Sequence, residues 1–153
     1  MRLAPLCEME LRYTRLEILD YGAGGQIFGA MEGTVSGERL HGAMDLVNLA
    51  PRRPDNVNLP TLRGLLTTDD GAKLYIEIDG MATLRPSDEA RVVVHSMTFR
   101  TGDPRYAWLN RVFAVAEGVL DRVAVGGVFR ARAYACEATI GMAGEAGAAE
   151  VRV

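Results

Sequence analysis

The chain has 153 residues, of which 48% are hydrophobic and 24% charged, and its formal net charge is −3. This length allows a core of its own, so we expect one globular domain. Charges of both signs are interspersed without a basic stripe, which argues against nucleic acid as a partner. No apolar run approaches the roughly 20 residues that span a bilayer, and no signal-peptide core is visible. We therefore expect a cytoplasmic protein that does not bind membranes.

Short alternating runs between glycine-rich turns are typical of many short strands rather than a few long helices. In the first run, Met9, Leu11 and Tyr13 share one face, and the alternation slips at Arg15. A slip of this kind indicates a β-bulge, which bends a strand. Turns follow at 21–26 and at 36–38, and a proline- and asparagine-rich loop follows at 48–60.

The clearest hairpin is centred on Asp70-Gly71, which supplies the positive-φ residues of a tight turn. Its second strand alternates, with Leu74, Ile76 and Ile78 opposite Lys73, Tyr75, Glu77 and Asp79. Counting such runs predicts an all-β protein with eight to ten short strands.

The segment 101–111, TGDPRYAWLNR, can be interpreted in two ways from its pattern. Asp103 and Pro104 are typical of a helix start, and apolar residues recur at helical spacing through 104–120. The valines after Arg111 favour a strand instead. The pattern alone leaves both open.

Three stretches resemble the family known as domain of unknown function 3237: 33–42 (GTVSGERLHG), 67–80 (TTDDGAKLYIEIDG) and 99–111 (FRTGDPRYAWLNR). The resemblance covers roughly residues 3–138. It implies a single closed antiparallel β-barrel, similar to the lipocalin-like calycins, with 103–105 as a turn and 106–117 as a strand. It implies no activity.

Together these observations predict a barrel domain over 1–140 and a flexible tail over 141–153. If 106–112 is a strand, Tyr106, Trp108 and Asn110 share one face. We expect them to point into the barrel and, with Arg100, to bind a ligand. The alternative is that Trp108 plugs the barrel while the polar tips satisfy backbone groups at the turn.

Three further residues are candidates for catalysis. Tyr75 and Glu77 share a face of the hairpin and could act as acid and base, although a solvent-facing strand alternates in the same way. Asp45 is interpreted either as a turn cap or as a semi-buried catalytic carboxylate.

Metal and cofactor chemistry has no support in the sequence. His41 and His95 belong to no cluster with ligand spacing, so we expect no metal site. The GAGG at 22–25 lacks the setting of a dinucleotide fingerprint, and we expect no cofactor. Cys7 and Cys136 are expected to be free thiols.

The sequence thus predicts a barrel that holds a small, largely apolar ligand in its lumen. The alternative is a cofactor-independent isomerase, cyclase or lyase acting on a small carbonyl or polyketide-like compound; a purely interaction-forming subunit is a third reading. A homodimer is also expected, because the small-residue face of Ala131, Ala133 and Ala135 allows close packing.

Overall fold

The computed structural model describes residues 1–141, and its regular elements are nine β-strands and one short 3₁₀ helix at Ala107–Arg111. The strands are β1 (Arg2–Asp20), β2 (Gly25–Ser36), β3 (His41–Asn48), β4 (Pro51–Arg52), β5 (Thr61–Thr68), β6 (Lys73–Leu84), β7 (Arg91–Arg100), β8 (Ala114–Leu120) and β9 (Val128–Glu137). Within residues 1–141, no helix is long and apolar enough to cross a membrane.

The strands form one closed antiparallel barrel. Their order is β1-β9-β8-β7-β6-β5-β3-β2, and β1 also pairs with β2, which closes the sheet. The two-residue β4 is added beside the start of β2 and is not part of the closure. Eight strands therefore make the barrel, and the predicted all-β barrel is confirmed.

The alternation read from the sequence determines what faces the lumen. In β6, Leu74, Ile76 and Ile78 are buried inside, whereas Tyr75 and Glu77 face outward. Residues i, i+2 and i+4 of a strand line one face, so the core is built from alternate positions of every strand.

Two local predictions of backbone geometry can be compared directly with the fold. The register of β1 against β2 shifts between Tyr13 and Arg15, which confirms the bulge. In the β5–β6 turn Gly71 has φ 89°, whereas Asp70 is not among the positive-φ residues, so only the glycine supplies that conformation.

The strand predicted over 106–117 is wrong before Ala114, and so is a helix over 104–120. Tyr106 lies in a turn, the 3₁₀ helix follows, and β8 begins only at Ala114. The Asp103 carboxylate accepts a hydrogen bond from the Arg105 N–H at 2.9 Å, and Pro104 has its φ fixed by its ring. Asp103 and Pro104 therefore start a helical segment that lasts little more than one turn, and the apolar residues from Ala114 onward belong to β8.

The barrel has two different ends. The closed end carries the turns at 37–40 and 69–72 and the segment 101–113, where Leu40 and Leu109 are fully buried. The cavity end carries the turn at 21–24, the segment 49–60, the turn at 85–90 and the loop 121–127.

The structure also bears on the cysteines, the dimer contact and the tail that the sequence predicts. Cys7 and Cys136 are free, as predicted. The alanine face expected at a dimer contact is not available for it, because Ala131 and Ala133 are buried inside the barrel. The homodimer therefore stays a prediction without that argument. The predicted tail lies, apart from Gly141, outside the described residues.

Candidate functional site

Tyr75, Glu77 and Arg100 lie together on the outer face of β6 and β7, not in the lumen. The Arg100 Nη2 atom is 2.8 Å from Glu77 Oε1, and the guanidinium lies 5.7 Å from the centre of the Tyr75 ring. Arg63 Nη2 is 3.8 Å from the other carboxylate oxygen of Glu77. Arg100 is exposed, whereas Arg63 and Glu77 are half-buried, and each such ion pair at a protein surface contributes little to stability by itself.

Asp45 is exposed on the outer face of β3, because Met44 and Leu46 take the inward positions. It lies opposite Leu65, which in turn lies opposite Tyr75. Asp45 is therefore two strands away from Tyr75, and neither residue lines the lumen. The interpretation of Asp45 as a semi-buried carboxylate is wrong.

Tyr106, Trp108 and Asn110 lie at the closed end and do not share a strand face. The Tyr106 hydroxyl donates to Asp70 Oδ1 at 2.8 Å, and the Arg39 guanidinium stacks 3.7 Å from the centre of the Trp108 ring. Both aromatic rings are half-buried and pack against the core.

Asn110 completes the turn rather than facing a ligand. Its Oδ1 accepts from the Thr101 N–H at 2.8 Å, and its Nδ2 donates to the Thr101 carbonyl at 2.9 Å. The prediction that this segment and Arg100 line the pocket is therefore wrong. Of the alternative, Asn110 satisfies backbone groups at the turn, whereas the Tyr106 hydroxyl binds the Asp70 side chain and the half-buried Trp108 ring lies against Arg39.

The cavity lies at the opposite end of the barrel and has a volume of about 40 Å³. That volume is room for about three water molecules. Its wall is mostly aliphatic and aromatic, with a few polar side chains. It is lined by Leu11, Tyr13, Ile27, Met31, Asn48, Ala50, Asn58, Pro60, Leu62, Ile78, Ala82, Arg91, Val93, His95, Leu120, Val123 and Phe129.

Tyr13 is held in this wall by its backbone and by its ring. At the bulge, its N–H donates to the Gly127 carbonyl at 3.1 Å and its carbonyl accepts from the Gly126 N–H at 2.8 Å. Its ring packs against Gly29, where an added Cβ would lie 2.6 Å from the Tyr13 Cε1 atom. The bulge and the glycine together position this phenol.

The Tyr13 hydroxyl belongs to a short chain of buried hydrogen bonds. The Thr61 N–H donates to Asn48 Oδ1 at 3.1 Å, which fixes the amide so that its Nδ2 donates to the Tyr13 oxygen at 2.9 Å. Burial raises the pKa of Tyr13, and the hydrogen bond from Asn48 only partly offsets this. Tyr13 therefore keeps its proton, and its oxygen is already used as an acceptor.

His95 is buried in β7, with 3% of its surface exposed, and its ring packs 5.8 Å from that of Phe129. Its Nδ1 lies 3.0 Å from the Ser96 carbonyl. Within residues 1–141 its Nε2 has no hydrogen-bond partner. Burial lowers the pKa of His95, more than the contact with Ser96 raises it, so the ring is neutral near pH 7.

Arg91 is the second polar residue that β7 brings to the cavity, and it is 4% exposed. It donates to the Asn56 carbonyl at 2.5 Å and to Asn56 Oδ1 at 3.0 Å. Burial, and then the nearby charge of Arg52, lower the pKa of Arg91, yet a guanidinium stays charged. In the described part of the chain, no carboxylate lies within 4.0 Å of the guanidinium of Arg91 or of Arg52.

Sequence reasoning missed this site because valines occupy both faces of β7. Val93 lies inside, whereas Val92 and Val94 lie outside. The second half of the strand carried the usable signal: Met97 and Phe99 alternate with Ser96, Thr98 and Arg100. Extending that phase backwards would have placed His95 and Arg91 in the lumen.

A metal site has no support from the geometry of residues 1–141, where no three side chains of His, Cys, Asp or Glu are grouped to hold an ion. The polar groups of the cavity are instead one imidazole, one phenol, two amides and one guanidinium. Such a set can bind an oxygen-bearing organic molecule and can move a proton.

The model of the family described as "Protein of unknown function (DUF3237)" matches residues 1–135. No curated protein matches the chain significantly. Among solved structures, a β-barrel-like protein from Acinetobacter baumannii AYE is 22% identical, with a TM-score of 0.76, covering 89% of this chain and 96% of that chain.

Two other solved structures are similar. A protein of unknown function from Clostridium acetobutylicum ATCC 824 is 21% identical with a TM-score of 0.76, covering 90% of this chain and 100% of that chain. An enzyme from Penicillium herquei is 22% identical with a TM-score of 0.59, covering 87% of this chain and 93% of that chain. At such identities the likeness shows the fold alone.

Proposed function

The chain belongs to the DUF3237 family, which has no assigned activity, and from its cavity we propose that it binds a small, largely apolar molecule carrying one anionic oxygen group. The observation that carries this proposal is Arg91, a residue only 4% exposed that lines the cavity, whose part-buried guanidinium donates to Asn56 but has no carboxylate partner in the described residues. Buried charges in proteins are normally paired, since an unpaired one is costly.

The surroundings of Arg91 support an anion rather than a neutral ligand. Arg52 adds a second positive charge close by, and it too lacks an ion-pair partner within the described chain. By contrast, Arg53 and Arg85, on the same end of the barrel, pair with Asp55 and with Asp88. A carboxylate or enolate in the cavity would supply the missing negative charge and accept a forked pair of hydrogen bonds.

The size and lining of the cavity define the rest of the ligand. A volume of about 40 Å³ admits the polar head of a molecule, such as one carboxylate group. Met31 is an adaptable side chain in the wall, so a larger apolar body can be accommodated when it changes rotamer.

The binding proposal is tested by NMR titration with acetate, propanoate and butanoate and with the corresponding amides. We expect the carboxylates to bind more tightly than the amides, and Arg91→Met to weaken butanoate binding. Loss of a charged hydrogen bond is worth about 1.5–3 kcal/mol, or roughly 10- to 100-fold in Kd.

Arg39→Met is the matched control, because Arg39 stacks on Trp108 at the closed end. It should leave butanoate binding unchanged. Equal affinity of the amides and carboxylates, or equal binding by the Arg91→Met and wild-type proteins, would contradict the proposal.

A second candidate function is a cofactor-independent isomerase, cyclase or lyase acting on a small carbonyl or polyketide-like compound. The observation in its favour is that an imidazole without a partner on Nε2 faces the same cavity as a phenol. A structural neighbour described as an enzyme agrees with this candidate at the level of fold.

A further inference from the structure

His95 lines the cavity, and its imidazole carries a free lone pair. A carbonyl oxygen can only accept a hydrogen bond, so the 3.0 Å contact with the Ser96 carbonyl places the ring proton on Nδ1. The neutral ring then carries its lone pair on Nε2, the atom without a partner among the described residues. The backbone therefore fixes the tautomer in which His95 can accept a proton from a bound molecule.

The Tyr13 hydroxyl presents the complementary group. Its oxygen accepts from Asn48, whose orientation is fixed by the Thr61 N–H. No acceptor for the hydroxyl proton is found within residues 1–141. A ligand oxygen in the cavity can receive this proton in a hydrogen bond, and the polarised chain behind it strengthens the donor.

We propose that His95 is a general base and Tyr13 an electrophilic hydrogen-bond donor for enolisation of a small oxo-carboxylate bound in the cavity. This rests on the proposed function, since Arg91 would hold the carboxylate. A base, an oxygen donor and a cation lining one cavity are the parts that proton abstraction beside a carbonyl requires.

The step balances without a co-reactant. His95 Nε2 takes the proton from the carbon next to the carbonyl, and the C–H electron pair becomes the carbon–carbon double bond of the enolate. The carbonyl π pair moves to the oxygen, where the Tyr13 hydroxyl donates a hydrogen bond. Return of the proton to the same carbon, to another carbon or to the oxygen regenerates the neutral imidazole.

The test uses 2-oxobutanoate in D₂O, with exchange of its C3 protons followed by ¹H NMR. We expect the wild-type protein to accelerate exchange over buffer, and His95→Gln to lose about 100-fold or more of that acceleration. Tyr13→Phe should slow exchange about 10-fold or more while 2-oxobutanoate still binds. His41→Gln is the matched control and should exchange at the wild-type rate, because His41 is exposed at the closed end.

Binding of 2-oxobutanoate is measured in the same samples, which separates the two proposals. If it binds to the wild-type protein without accelerated exchange, or if His95→Gln exchanges at the wild-type rate, the enolisation proposal is overturned and the binding proposal stands. If neither 2-oxobutanoate nor butanoate binds, both proposals fail.

The pH profile keeps the test decisive even if His95→Gln does not fold. Exchange should slow as the pH falls and the imidazole becomes protonated; Tyr13 and Arg91 are the other ionisable groups lining the cavity. Neither of these two titrates between pH 5 and 8. A catalysed rate that increases as the pH falls over that range would overturn the role of His95 as the base.

Discussion

Lowering the pH below 6.5 should destabilise the fold through His95. Burial lowers the pKa of this residue in the folded state, whereas an unfolded histidine titrates near 6.5. Between those two values the unfolded chain binds more protons than the folded one. The free energy of unfolding therefore increases with pH in that window and is lost as the pH falls.

The size of the effect follows from one proton. The slope is at most about 1.4 kcal/mol per pH unit, so His95 can lower the free energy of unfolding by up to about 1 kcal/mol between pH 6.5 and 5.5. Side-chain hydrogen bonds lower the pKa values of four aspartates, so their contributions disappear only at more acidic pH: Asp55, Asp70, Asp88 and Asp103.

Urea denaturation at pH 7.5, 6.5 and 5.5 measures how the free energy of unfolding changes with pH for the wild-type protein, His95→Gln and His41→Gln. The wild-type protein and His41→Gln should lose stability together, and His95→Gln should lose less than they do, by up to about 1 kcal/mol, between pH 6.5 and 5.5. Parallel curves for the wild-type protein and His95→Gln would refute the assignment of His95 as a buried neutral imidazole.

Three substitutions and one control variant test the placement of the cavity and of the residues outside it. Gly29→Ala should push the Tyr13 ring and cost about 1–3 kcal/mol in urea denaturation, whereas Gly102→Ala, with open space at its Cβ, should change stability by less than about 1 kcal/mol. Trp108→Ala should lower the free energy of unfolding by about 1–3 kcal/mol but leave butanoate affinity unchanged in an NMR titration. Weaker butanoate binding by this variant would contradict the placement of Trp108 at the closed end, away from the cavity. Glu77→Gln should change neither butanoate affinity nor stability beyond about 1 kcal/mol, since its ion pairs lie on the outer face.

The strands were predictable because their periodicity is local. Leu74, Ile76 and Ile78 alternate with polar residues, and the phase slip at Arg15 marks the bulge. A period of two fixes which residues point inward once one face is clearly apolar.

The site was not predictable in the same way. We expected the ligand-binding residues in the segment of the chain that is densest in polar side chains. The segment 101–111 uses that density to satisfy its own turn and to close the barrel. The cavity instead draws its polar residues from three strands that are far apart in the sequence: Tyr13 from β1, Asn48 from β3, and Arg91 and His95 from β7. Their convergence depends on the register of the closed barrel, which local patterns do not contain.

The signals of the methionine methyl groups test most directly whether the small molecule binds inside the barrel at the cavity end. Met31 lines the cavity, whereas Met44 is buried in the core but does not line it. With ¹³C-methyl methionine, butanoate should shift the Met31 signal progressively to saturation and leave that of Met44 almost unchanged. A saturable shift of the Trp108 indole signal with an unchanged Met31 would place the ligand elsewhere and contradict the account.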